Sequence, residues 1–158
     1  MSAPSDADAM AVALDEARAG AAEGEIPIGA VVIGPEGDVI ARAHNMREGS
    51  HDPTAHAEVL ALRQAATHLG RWRLDDCTMV VTMEPCPMCA GAVVMSRLSR
   101  LVFGAWNDEY GAAGSRWDIV RDRRLNHRAE VVGGVRADEC GAIVTEFMSA
   151  HRPAARRS

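Results

Sequence analysis

Apolar, β-branched runs of strand length alternate along this chain with stretches of helical periodicity, and that alternation restricts the fold more than any other feature. The runs are Ile28 to Ile33, Val39 to Ala41, Thr78 to Thr82, Leu101 to Phe103 and Glu130 to Val132. Pro35-Glu36-Gly37-Asp38 places turn chemistry between the first two, which therefore read as a β-hairpin. A first helix is expected from Ser5 to Gly24. Ser5 caps it, Asp6 and Asp8 suit its positive end, and Met10, Leu14, Ala17 and Ala21 repeat along one face. A polar loop, His44 to Asp52, leads to a second helix, with Asp52 as N-cap and Pro53 at the first helical position; it runs through Val59, Leu62 and Ala66 to Gly70. A third helix starts near Pro85 or Cys86 and passes through Val93 and Met95, and a closing helix spans Asp138 to His151. Helices interleaved with short apolar strands require a sheet covered on both faces, and the hairpin makes that sheet mixed. The expected architecture is α/β: a three-layer α/β/α domain over residues 1–151 around a mixed five-stranded sheet, followed by a basic tail, residues 152–158.

Composition narrows the function classes. Apolar residues make up 47 % and charged residues 25 %, which excludes a disordered or fibrous chain. No run approaches the length of a membrane span, so no membrane partner is expected. Asp6, Asp8, Asp15 and Glu16 stand where a secretory signal needs a basic flank and an apolar core, and four unevenly spaced cysteines suit a reducing compartment. Both point to the cytoplasm.

Two short motifs carry chemistry: His56-Ala57-Glu58 and Pro85-Cys86-Pro87-Met88-Cys89. A Cys-x-x-Cys pair presents two thiolates at metal-site spacing, and His56 adds a nitrogen donor of the kind zinc accepts. Each motif opens a predicted helix, whose N-terminal dipole favours thiolate. Three protein ligands leave a fourth position for water, as in a catalytic zinc site, and Glu58 beside them is placed to handle that water's proton. Cys77, Cys140, His44, His51 and His127 remain possible fourth ligands, which would close the site into a structural one. Cys77 and Cys140 otherwise read as small buried hydrophobes.

The motifs together match the His-x-Glu…Pro-Cys-x-x-Cys signature, and the chain resembles the zinc-dependent nucleoside and nucleobase deaminases of the cytidine deaminase-like fold. Within them it most resembles the bacterial tRNA adenosine deaminases. The likeness runs from about Glu25 to Phe147 and includes Glu25 to Val31, Asn45, His51 to Glu58, Glu84 to Ala92, Val102 to Ala105, Gly111 to Ser115, Asn126 to Arg128 and Ala137 to Cys140. The resemblance implies one zinc per chain, held by His56, Cys86 and Cys89, and a water whose proton Glu58 takes and returns to the base. It implies hydrolytic conversion of adenosine to inosine at the wobble position of a tRNA anticodon, with ammonia leaving. It also places Asn45 against the target nucleoside, Ile28 and Ala57 in the wall of the base pocket, and Pro27 and Met83 around its mouth. Core packing for Ile28 and a loop cap for Asn45 are the alternatives. A homodimer is implied, through the third helix and the loop near Trp106. The chain departs from the family at Asn107, where relatives commonly carry an acidic residue; Asn107 still hydrogen-bonds a ribose or a backbone group but supplies no charge.

The formal net charge of −5 at first argues against nucleic acid, but it is unevenly spread. Residues 1–60 hold three arginines against eleven acids, and residues 61–158 hold fourteen against eleven, with no lysine anywhere. Arg97, Arg100, Arg121, Arg123, Arg124, Arg128, Arg152, Arg156 and Arg157 are the groups available to phosphate. The tRNA anticodon stem-loop is the expected partner. The alternative on the same fold is a deaminase of a free nucleobase or nucleotide, of the guanine, cytosine or dCMP type, which has no need of those arginines. A zinc-stabilised RNA-binding module without catalysis is a third reading, and Glu58→Ala separates it from an enzyme, because a structural site retains function while an enzyme loses nearly all turnover.

Overall fold

The computed structural model describes residues 3–151, so the basic tail at 152–158, with Arg152, Arg156 and Arg157, lies outside the described residues. The apolar runs form one five-stranded sheet. Strands β1 (Gly29–Ile33) and β2 (Val39–His44) make the expected hairpin, with Gly29 opposite His44 and a register shift between Val32 and Ile33. β1 also pairs antiparallel with β3 (Thr78–Met83), which pairs parallel with β4 (Arg100–Ala105), and β4 pairs parallel with β5 (Glu130–Val132). The order is β2-β1-β3-β4-β5, a mixed sheet.

Side chains alternate across that sheet with period two, and each face buries its own core. Ala30, Val32, Met79, Val81, Leu101 and Phe103 point to one face, where α3 (Ala57–Leu69) and α4 (Pro87–Met95) cover them. Val31, Ile33, Val80 and Val102 point to the other, under α1 (Asp6–Ala22) and α5 (Ala137–Ala150). The result is the expected α/β/α sandwich. Removing each such aliphatic side chain from water contributes about 1.5–3 kcal/mol before entropy is counted. Helix α1 sits directly on β1: a Cβ at Gly29 would run into the backbone of Ala13 and Ala17. Ser5 caps α1 by accepting the Asp8 N–H at 3.1 Å. The Arg100 guanidinium grips the Asp6 carboxylate through two 2.7 Å bonds, which pins the helix start to β4 and holds the Asp6 carboxyl below its usual range.

Two expectations need correction. The loop after β2 contains a short helical turn, α2 (Arg47–Ser50), which four residues of mixed character did not announce. Helix α3 begins at Ala57, four residues later than the Asp52-Pro53 pair suggested. Asp52 spends its carboxylate on the Thr54 N–H and hydroxyl, both at 2.8 Å, and makes a local turn. The cap position falls to His56, and the Ala57 N–H is satisfied from outside the helix by the side-chain oxygen of Asn45 at 2.9 Å. No helix among the described residues is long and apolar enough to cross a membrane.

Candidate active site

His56 occupies the N-cap of α3 and Cys86 the N-cap of α4, with Pro87 starting that helix and Cys89 in its first turn. Because α3 and α4 share one sheet face, their N-termini converge. His56 Nδ1 stands 3.6 Å from Cys86 Sγ and 3.4 Å from Cys89 Sγ, and the three donor atoms all lie within 4.8 Å of one another. With zinc–sulfur bonds of about 2.3 Å and zinc–nitrogen bonds of about 2.1 Å, a tetrahedral N–S edge is about 3.6 Å, so these donors fit one zinc ion.

No fourth protein ligand joins them among the described residues. His44 is engaged by Glu16 and Glu23, His127 Nε2 bonds the Leu98 carbonyl at 2.7 Å, and His51 is exposed beyond the last residue of α2. Cys77 and Cys140 are wholly buried in the cores, where burial pushes their thiols up to about 12 and about 11. The set is therefore the three-ligand kind that leaves room for water. Without metal, the hydrogen bond from the Cys89 thiol draws Cys86 down to about 4, with His56 assisting, while the neighbouring Cys86 thiolate and burial push Cys89 up. A divalent cation removes that opposition by attracting both thiolates.

Glu58 lies in the first turn of α3 and is 4 % exposed. Burial raises its carboxyl above the ordinary glutamate range, which suits a group that must accept a proton and then give it up. It lines a cavity of about 280 Å³ together with Ile28, Arg47, His56, Met83, Glu84, Cys86, Asn107 and Tyr110. Of the expected pocket residues, Ile28, Met83 and Asn107 line this cavity. Ala57 and Pro27 are buried outside its lining, in the first turn of α3 and just before β1. Asn45 faces an adjoining cavity of about 390 Å³ that shares Arg47 with the first. Its side-chain oxygen makes the Ala57 bond, the cap that had been its alternative reading.

Asn107 folds its own side-chain oxygen back onto the N–H groups of Glu109 and Tyr110, at 3.3 and 3.0 Å, so it shapes its loop. Trp106 is 55 % exposed, with its ring edge against Phe103. Arg47, Glu84 and Tyr110 complete the cavity and were not anticipated. Arg47 belongs to the unannounced turn α2, which is anchored where the buried Glu25 carboxylate accepts the N–H groups of Glu48 and Gly49 at 3.1 and 2.8 Å. Glu84 did carry a signal, as a charged residue ending an apolar strand immediately before the cysteine motif. Several of the arginines assigned to phosphate are engaged internally: Arg100 with Asp6, Arg121 with Asp118, Arg124 with Asp122. Arg123 and Arg128 are exposed, and neither makes an ion pair among the described residues.

Residues 3–105 match the model of the cytidine and deoxycytidylate deaminase zinc-binding region. The chain belongs to this zinc deaminase family. Among other zinc deaminases it is 48 % identical over 138 residues to the tRNA-specific adenosine deaminase of Bacillus subtilis, a match that covers 87 % of this chain and 85 % of that protein. A solved structure from studies of A-to-I editing by tRNA:A34 deaminases at the wobble position superposes with a TM-score of 0.82 at 38 % identity, covering 85 % of this chain and 97 % of the other. The guanine deaminase of Nitrosomonas europaea superposes with a TM-score of 0.80 at 27 % identity, covering 94 % and 86 %. The fold is common to both, and the sequence lies nearer to the enzymes that act on tRNA.

Proposed function

We propose that this zinc deaminase converts adenosine to inosine at the wobble position of a tRNA anticodon. The observation that carries the reaction is the buried Glu58 carboxylate lining the same cavity as two of three converging metal donors, His56 and Cys86. The substrate assignment is supported by the 48 % identity to a tRNA-specific adenosine deaminase and, among the solved structures, by 38 % for the tRNA:A34 deaminase structure against 27 % for the Nitrosomonas europaea guanine deaminase.

His56, Cys86 and Cys89 would hold the zinc, which when bound would supply Lewis acidity for activating water. Glu58 takes a proton from the attacking water and delivers it to the ring nitrogen beside C6 as oxygen adds to that carbon. Again a carboxylate, Glu58 collects the second proton from the oxygen and passes it to the amino group, which leaves as ammonia. Water and adenosine are thus consumed and inosine and ammonia released. Ile28 and Met83 supply apolar wall to the base, and Asn107 and Tyr110 belong to the same lining.

The RNA bound is an anticodon stem-loop, held through exposed arginines such as Arg123 and Arg128, and the setting is the cytoplasm. The enzyme works as a homodimer through α4 and the loop near Trp106. Met88 and Met95 of α4, 38 % and 67 % exposed, and Trp106 leave apolar surface there that supports such a contact. Incubation with total tRNA and with a synthetic anticodon stem-loop, followed by nucleoside analysis, tests the reading. Inosine at the wobble position is the expected result, and deamination of free guanine or cytosine with both RNAs unchanged would overturn it.

A further inference from the structure

Glu84 is a fully buried carboxylate that the proton transfers do not use. It directly follows β3, donates its own N–H to the Ala105 carbonyl at 2.8 Å, and is 1 % exposed. Its two oxygens accept from four donors. Oε1 takes the Asn107 N–H at 3.1 Å and the Ser115 hydroxyl; Oε2 takes the N–H groups of Ala113 and Ser115 at 3.1 and 3.0 Å. One side chain therefore closes both ends of the segment 106–115. Inside that ring the Gly111 N–H donates to the Asn107 carbonyl at 2.8 Å, and a Cβ at Gly111 would collide with the Glu84 carboxylate. The segment is wrapped on Glu84 closely enough that only glycine fits at its turn. From it, Asn107 and Tyr110 enter the lining of the catalytic cavity, whereas Tyr110 is otherwise 60 % exposed.

We propose that Glu84 is the positioning residue of the substrate rim: its carboxylate suspends loop 106–115 and so sets where Asn107 and Tyr110 meet the substrate. Two acceptor oxygens are required, because each faces at least one backbone N–H that cannot turn away. A glutamine of the same shape must present its NH₂ to one of those N–H groups, which repels it and frees one end of the loop. The zinc donors, held by α3 and α4, are not touched by that change.

The test is Glu84→Gln, with Ser115→Ala as a milder variant that removes one of the four donors. The substrate arm rests on the tRNA adenosine reading, and amide hydrogen exchange supplies an arm independent of it. In E84Q, exchange across residues 106–115 is expected to accelerate by about tenfold or more while residues 57–62 keep their protection, and zinc stays at one per chain. On the anticodon stem-loop, kcat/KM is expected to fall about tenfold or more, with KM carrying most of the loss. S115A is expected to show the same pattern at smaller size. Unchanged exchange in 106–115 overturns the proposal, as does loss of zinc together with protection throughout the chain. If E84Q does not fold, S115A decides by the same exchange measurement. Wild-type protein inactive on the stem-loop would refute the substrate reading and leave the exchange result to judge Glu84.

Discussion

The side-chain oxygen of Asn45 accepts the N–H of Ala57 at 2.9 Å, a single bond that joins the end of β2 to the first turn of α3 between His56 and Glu58. His56, the N-cap residue, makes no side-chain cap bond, so Asn45 is the side chain that ties down this end of the helix. Asn45→Ala is expected to cost about 1 kcal/mol of stability, the ordinary worth of a lost cap, and to lower kcat/KM by displacing Glu58. Asn45→Asp offers the same acceptor and should recover most of the stability. Chemical denaturation of the three proteins checks both statements.

Glu58 gives a cleaner separation of chemistry from structure. Glu58→Gln should keep zinc at the wild-type level and lose about 10²–10⁴-fold in turnover, the range that general acid–base groups contribute. Metal analysis alongside inosine release measures the two independently. Turnover close to wild type would mean that another group moves the protons.

Cys86→Ala removes a ligand from a site with no protein reserve, since no fourth donor approaches the other two among the described residues. Its zinc content after dialysis should fall well below one per chain, with activity falling in parallel. Full zinc in that variant would refute the ligand set.

His44 predicts the alkaline side of the stability profile. Burial alone would lower its pKa, but Glu16 and Glu23, each 3.0 Å from a ring nitrogen, more than offset that and raise it. A histidine raised in the folded state contributes stability that is full below its unfolded pKa of about 6.5 and is lost as pH rises through the folded value. Unfolding free energy should therefore decline from mildly acidic to mildly alkaline pH. His44→Gln should flatten that decline.

Asp6 acts at the opposite end of the scale. Its carboxyl is held down by Arg100, so the link between α1 and β4 contributes above the unfolded aspartate pKa and fades as pH falls through the lower, folded one. Asp6→Asn should lower stability at neutral pH and weaken the acid dependence, as melting temperatures at a series of pH values would register.

Local patterns made most of the fold legible. The β-branched run at Glu130–Val132 emerges as β5 with those bounds, and Ser5 caps α1 as its position and chemistry suggest. The zinc donors were legible for the same reason, because spacing within a motif and proximity to a helix start are both local. The start of α3 was not, since the group that satisfies its first N–H comes from Asn45, twelve residues upstream, while Asp52 and Pro53 imitate a cap. Part of the cavity lining was hidden too. Tyr110 reaches it only because loop 106–115 is folded onto a residue more than twenty positions earlier, and no periodicity records such a tether.

The convergence of two helix N-termini on one sheet face has a consequence for how this enzyme can change. His56, Glu58, Cys86 and Cys89 are anchored in backbone that the core holds, whereas Asn107 and Tyr110 join the cavity from loop 106–115. The converging metal donors and this part of the cavity wall therefore sit on separate stretches of chain. Substitutions in that loop can reshape the cavity wall without replacing a metal donor.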